Sequence, residues 1–191
     1  MIKKCFIDTE TTGLNERGLD EVHQIACIIT DEDVKPLDWI NIKFSPSKEA
    51  LDQMSPELFE KFNITKESIS NRKLSRVDGW NEFTEFLCKH VDRFNKEDKM
   101  HFVAYNAPFD RKFVAKLFKQ NDDNYFGSYF WNPPICVYQR CAWVLQNKRD
   151  HFDHMGLSTM CKFAEIDFDK DAAHDALYDT KKTVELYKAV A

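Results

Sequence analysis

No stretch of this 191-residue chain is apolar for long enough to cross a membrane, and its amino terminus lacks the architecture of a signal peptide. An intracellular, cytoplasmic protein with no membrane partner is expected. Paired cysteine spacing is also missing: Cys5, Cys27, Cys88, Cys136, Cys141 and Cys161 are scattered, which excludes a disulfide framework and fits a reducing compartment. Cys136, Cys141, His151 and His154 superficially suggest a zinc cluster, but their spacings match no tight ligand pair. Positive charge is not in excess, because 27 Lys and Arg stand against 32 Asp and Glu for a net charge of −5. That balance excludes holding nucleic acid by bulk electrostatics alone and leaves local patches or bound cations as the means. There is no internal repeat and no low-complexity segment.

What is present suffices for one well-filled core. At 43% hydrophobic, with sixteen Phe and four Trp, residues 1–191 are expected to form a single domain rich in buried aromatics. Its organising stretch is Phe6 to Leu14, FIDTETTGL. The apolar lead-in predicts a buried strand, and the period of two puts Asp8 and Glu10 on one face of it. Two carboxylates there repel, so a strand ending in Asp-x-Glu asks for positive charge, most simply a hard divalent metal. A second reading stands beside that one: the strand has already emerged into a solvated loop, Thr11 to Gly18, and both acids are merely hydrated.

Glu21 to Thr30 and Trp39 to Phe44 predict two further strands, the second with Ile40, Ile42 and Phe44 on one face, forming an antiparallel hairpin beside the first. A short helix is expected from Ser55-Pro56-Glu57 into Leu58, Phe59 and Phe62. A longer one is expected over Arg76 to Phe94, where Val77, Trp80, Phe83, Phe86, Leu87, Val91 and Phe94 recur at helical spacing. A strand over Lys99 to Tyr105 runs into Asn106 to Asp110 and the next helix, whose apolar stripe is Phe113, Val114, Leu117 and Phe118. Asp110 heads that stripe, which fits either an inward-facing acid or a first-turn acid serving free amides and the helix dipole. Asn121 to Asn132 is expected to be an aromatic loop closed by Pro133-Pro134, packed against the body of the protein, with stacking of bases or contact with a partner as the alternative. Helices follow over Ile135 to Gln146 and Leu157 to Ala164, joined by a basic linker that includes Lys148 and Arg149. In the last helix, about Asp175 to Val190, Asp179 shares a face with Ala176, Thr183, Leu186 and Val190; His174 stands at the mouth with Asp175 as cap.

A strand and two helix starts thus each carry acid where acid is energetically awkward, and one shared cation site explains all of them. Asp8, Glu10, Asp110 and Asp179 are the ligand complement expected for two Mg²⁺ or Mn²⁺ ions clamping a phosphodiester, and His174 would supply a general base near neutral pH.

Three segments in order, FIDTETTGL from Phe6, Asn106 to Asp110, and HDALYD from His174 to Asp179, closely resemble the three motifs of the DEDDh group of 3′-to-5′ exonucleases, the DnaQ-like family. The resemblance spans almost the whole chain. It implies an α/β, ribonuclease H-like fold, with a mixed central sheet of an antiparallel hairpin plus parallel strands flanked by helices. It further implies release of nucleoside 5′-monophosphates from 3′ ends, single-stranded DNA or RNA being left open. Asp8, Glu10, Asp110 and Asp179 would bind the two metals and His174 would deprotonate the attacking water. The backbone around Thr11, Thr12 and Gly13 would hold the terminal sugar, Leu14 would wedge beside the last base, and Asn106 and Phe109 would shape the pocket. The chain departs from the pattern at Gln24, where Glu is frequent, at Tyr105 and at Val137-Tyr138; none of these is a ligand, and they bear on substrate preference. The rival reading is a nucleic-acid-binding or polymerase-associated module without turnover, against which the intact five-residue set argues. Whether the chain forms a homodimer or attends a polymerase is left open by the sequence.

Overall fold

The computed structural model describes residues 2–61 and 64–190. Its frame is a mixed sheet of β1 (Lys4–Thr11), β2 (Val22–Thr30), β3 (Pro36–Ser45), β4 (Leu74–Ser75), β5 (Met100–Ala104) and β6 (Phe130–Cys136), in the spatial order β4-β3-β2-β1-β5-β6. The expected hairpin is present: β2 runs antiparallel to both β1 and β3, while β5 lies parallel to β1 on its other side. Every residue of β2 is buried, as a central strand covered on both faces must be, which explains its unbroken apolar run Ile25 to Ile29.

Alternation along β1 divides the interior. Cys5 and Ile7 face a core shared with Phe44, Phe83, Phe102, Phe113 and Phe118, covered by α4 (Arg76–Cys88) and α5 (Ala107–Lys119). Phe6, between them, faces the other core with Val103, Cys141, Met160 and Tyr187, covered by α7 (Val137–Val144), α8 (Leu157–Phe163) and α9 (Ala176–Ala189). Asp8 and Glu10 continue the Phe6 side, toward α9. A smaller cluster of Leu51, Met54 and Ile69 holds together α1 (Lys48–Gln53), α2 (Pro56–Lys61) and α3 (Lys66–Ser70). The helix expected after Ser55 is α2; Phe62 lies outside the described residues. Among the described residues no helix is long and apolar enough to cross a membrane. All six cysteines are free.

Two expectations are corrected. The helix predicted over Arg76 to Phe94 ends at Cys88, because Asp92 takes up the following chain: its Oδ1 accepts from the Phe94 amide (3.0 Å), and its own amide donates to Asp98 Oδ2 (2.8 Å). These turns compete with the helical ladder and leave Phe94 86% exposed rather than on a buried stripe. The aromatic segment predicted as a loop contains α6 (Phe126–Tyr129) and the edge strand β6, in which Pro133-Pro134 is bulged out between Trp131 and Ile135. An edge strand tolerates the missing donors. Packing of the segment against the body holds for Phe126, Tyr129 and Phe130, whose rings meet Phe102 and Phe118.

Gly79 is where α4 presses closest on the sheet, since a Cβ there would lie 2.4 Å from the Phe44 ring. Replacing a helix-interior Gly by Ala ordinarily gains about 1 kcal/mol. Here Gly79→Ala is expected to lower stability by about 1–3 kcal/mol through overpacking, read as an earlier urea midpoint; an unchanged midpoint would mean that Phe44 has room to turn aside.

Candidate active site

The site forms where β1 ends. Strands β1 and β5 are parallel, so their carboxyl ends lie at the same edge of the sheet, and β5 passes directly into α5. Crevices at the carboxyl ends of parallel strands are where open α/β sheets place ligands. The pairing of β1 with β2 breaks register immediately after Glu10, turning the chain out of the sheet at the second acid.

Three acidic elements converge there. Asp110, in the first turn of α5, is 4% exposed, and its Oδ1 accepts from the Thr9 amide (3.1 Å) and the Thr9 hydroxyl (2.9 Å). That pair of bonds locks the head of α5 onto β1. Asp179, in the first turn of α9, comes in from the opposite face of the sheet and accepts from the main-chain amide of His174 (3.3 Å). One ligand atom each from Glu10, His174 and Asp179 lie within 4.8 Å of one another. His174 itself sits in the left-handed region, φ 65°, an uncommon state for a residue with a side chain and one that clusters at functional sites.

The electrostatics of the cluster are unfavourable without a cation. The Asp8 carboxyl is pushed well above the ordinary carboxylate range, first by burial and then by the charges of Asp110, Glu10, Asp179 and Asp175. Burial raises Asp110 to about 7 despite the two bonds from Thr9, which favour its charged form. The donor set is hard oxygen plus one imidazole, which fits a divalent ion such as Mg²⁺ or Mn²⁺. The alternative of hydrated, solvated acids at the end of β1 therefore does not describe Glu10, which is buried, while Asp8 is half-buried.

Beside this cluster lies a cavity of about 270 Å³ lined by Thr11, Gly13, Leu14, Asn106 and Phe109, together with Glu10 and His174. Its lip is rigidly built. Thr11 Oγ1 donates to the Gly13 carbonyl (2.6 Å), and Lys116 Nζ donates to the carbonyls of Gly18 (2.7 Å) and Asp20 (2.6 Å). A Cβ on Gly13 would meet the Asp20 carboxylate at 2.3 to 2.5 Å, so that position takes only glycine without rearrangement. Leu14 projects from the lip 78% exposed.

Thr12 does not line the cavity. It is buried, its hydroxyl accepts from the Glu21 amide (3.0 Å), and its own amide donates to the Glu21 carbonyl (2.9 Å), so it anchors the loop to β2. Leu58 of α2 does line the cavity, and nothing in its local pattern distinguished it from a core leucine. Cys136 and Cys141 are buried apolar residues, the latter in the α7–α9 core, and among the described residues they join no metal-ligating group.

A mixed sheet sandwiched by helices, with carboxylates brought to one strand end from both faces, is a ribonuclease H-like α/β fold. Residues 5–187 match the family model described as exonuclease, of the RNase T type, and the chain belongs to that family. It is accordingly an enzyme, a 3′-to-5′ exonuclease. It is similar to the Ribonuclease T of Photobacterium profundum (30% identical, 95% of this chain and 78% of that one). Ribonuclease T of Shewanella denitrificans is 29% identical over 95% of this chain and 76% of its own. Among solved structures it resembles an Escherichia coli Exonuclease I–single-stranded DNA complex with zinc bound (TM-score 0.77, 18% identical, 99% of this chain). Exonuclease I of Methylocaldum szegediense gives a TM-score of 0.77 at 20% identity over the whole chain. In both structural comparisons this chain spans 40% of the other.

The raised carboxyls make a prediction about stability. A group whose folded pKa lies above its unfolded value stabilises the fold fully below the unfolded value, and the effect is lost as pH rises through the folded one. For Asp110 that window runs from 3.8 to about 7. In EDTA, Asp110→Asn is therefore expected to show a flatter decline of melting temperature than the unmodified chain across this window. Mn²⁺ is expected to raise the unmodified chain's melting temperature more at pH 8 than at pH 5; an equal shift at both would mean that these acids do not hold the ion.

Proposed function

We propose that residues 1–191 act as one exonuclease domain that hydrolyses the terminal phosphodiester of single-stranded nucleic acid and releases nucleoside 5′-monophosphates. The observation that carries this reading is the convergence of Glu10, His174 and Asp179 within 4.8 Å, beside a cavity walled by the Thr11–Leu14 lip. Asp8, Glu10, Asp110 and Asp179 would hold two Mg²⁺ or Mn²⁺ ions. Bound there, the ions would lower the pKa of the attacking water and offset charge on the leaving oxygen.

The chain's own side chains do the rest. Thr9 fixes the Asp110 carboxylate by two hydrogen bonds, so this ligand is oriented before substrate arrives. His174 is exposed at the mouth of the site, beside Glu10 and Asp179, where its imidazole can take the proton from water entering between them. The last nucleotide would occupy the cavity with its base against Leu14 and Phe109, since a ring face is what an exposed leucine at a rim can cover regardless of base identity. The single-stranded DNA named for a structural relative supports a single-stranded end. The net charge of −5 makes affinity depend on the ions and on nearby cations, although Lys112 is already paired with Glu16 (3.0 Å) and Arg111 lies over the Phe126 ring.

Asp8→Ala or Asp179→Ala is expected to abolish divalent-metal-dependent release of mononucleotides from the 3′ end of a labelled oligonucleotide, and undiminished release by either would sink the ligand assignment. His174→Ala should slow the reaction by about two to four orders of magnitude while its melting curve stays in place; a matching loss of folded protein would remove the base assignment. A panel of single-stranded DNA, duplex DNA, RNA and very short RNA, digested side by side, reads substrate class directly, and preference for the duplex would overturn the single-strand reading.

A further inference from the structure

Asp175 stands between His174 and α9, and its carboxylate is used on both sides. Oδ1 caps the helix, accepting from the amides of Leu177 (3.1 Å) and Tyr178 (3.3 Å). Oδ2 reaches back to the sheet, accepting from Gln24 Nε2 (3.0 Å) and from Lys43 Nζ (2.9 Å). Gln24 Nε2 is itself steadied by Asn41 Oδ1 at 3.0 Å. One carboxylate thus ties the start of α9 to β2 and β3. Gln24 is also the cross-strand partner of Glu10 in the β1–β2 register, so the sheet residue that grips the helix stands opposite a metal-site acid.

We infer that Gln24 and Asp175 are positioning residues, a matched amide–carboxylate pair that sets where the His174 imidazole and the Asp179 carboxylate stand relative to Glu10. The inference rests on the exonuclease reading above. His174 is held in the left-handed region and spends its amide on Asp179; a backbone in that state persists only when the chain on both sides is fixed, and Asp175 is the fixed point on the helix side. The pair's polarity is constrained. A glutamate at position 24 would set two carboxylates at hydrogen-bond distance beside Asp8, whose carboxyl the neighbouring acids already raise, and the contact would turn repulsive. Lys43 shares the same carboxylate oxygen and also steadies Asp175, but as a substantially exposed ion pair it contributes little to orientation.

Reversal of polarity is the test. Gln24→Glu is expected to lower kcat at saturating metal by about tenfold or more while KM for a short oligonucleotide moves by less than about threefold. Asp175→Asn keeps a capping residue but disturbs the grip, and is expected to lose kcat alone as well. In the double variant Q24E/D175N the polarity is exchanged: the side-chain amide now at position 175 can donate to the carboxylate now at position 24, while its oxygen still caps the helix. Its kcat should therefore return to within about threefold of the unmodified chain. The imidazole ¹⁵N resonances of His174, identified by their absence in His174→Gln and followed without substrate, should shift or broaden in Q24E and return in the double variant. Should Q24E fail to fold, recovery of the Asp175→Asn loss by the double variant decides the matter. Unchanged kcat and imidazole signals in the folded single variants, or a double variant no better than the worse single, would overturn the inference. An unmodified chain that releases no nucleotide would defeat the exonuclease reading instead, and the imidazole signals would still decide the pair.

Discussion

Repulsion among carboxylates is the constraint on which this structure turns. Asp8 stands half-buried beside Asp110, Glu10 and Asp179, and each of them disfavours its charged form. A fold left to minimise its own energy would not gather them, and each is held by a separate device: the end of β1 for Asp8 and Glu10, the bonds from Thr9 for Asp110, and the capped start of α9 for Asp179. The stored repulsion is what makes a divalent ion fit. It supplies the charge that every one of these groups lacks, and its binding free energy then adds to that of folding.

The acids were legible one at a time because each stands on an otherwise apolar pattern: Asp8 and Glu10 ending a buried strand, Asp110 and Asp179 heading helical stripes. The hairpin β2–β3 and helix α9 were legible for the same reason, a clean period of two or of 3.6 over many residues. Legibility failed where side chains overrule periodicity. The apolar spacing of Val91 and Phe94 continues the stripe of α4, yet Asp92 diverts the backbone, a local bond that outcompetes the ladder. In β6 the pair Pro133-Pro134 reads as a stop, and only the neighbouring β5, supplied by the tertiary fold, shows that the strand resumes at Ile135.

Contacts that join remote segments were not legible at all. Leu58 reaches the cavity from α2, and Gln24 meets Asp175 across 151 positions of sequence; no local pattern encodes either meeting. Gln24 stood out in the sequence only as a departure from Glu, and the structure gives that departure a physical sense: with an aspartate at position 175, an amide is the partner that can donate to it. The same holds for Thr12, which shares a motif with Thr11 but is turned inward by its bonds to Glu21.

The division of labour between the two faces of the sheet follows from these attachments. On the α5 side, the clamp at Asp110 and the Lys116 ammonium, which binds the loop carbonyls of Gly18 and Asp20, make the acid and the cavity's lip parts of one packed body. On the α9 side, the attachments of His174 include its amide bond to Asp179 and the neighbouring Asp175 carboxylate, which ties the helix start to Gln24. Under the proposed reading, the α5 face would set where the phosphodiester lies, whereas the α9 face would set where the base stands through polar bonds at the helix mouth. Chemistry in which a proton must move requires the base to meet water within hydrogen-bond distance, so a small displacement of the imidazole matters. If Gln24 and Asp175 position His174 as inferred, substitutions at either residue alter the rate by displacing His174 and not by removing a ligand.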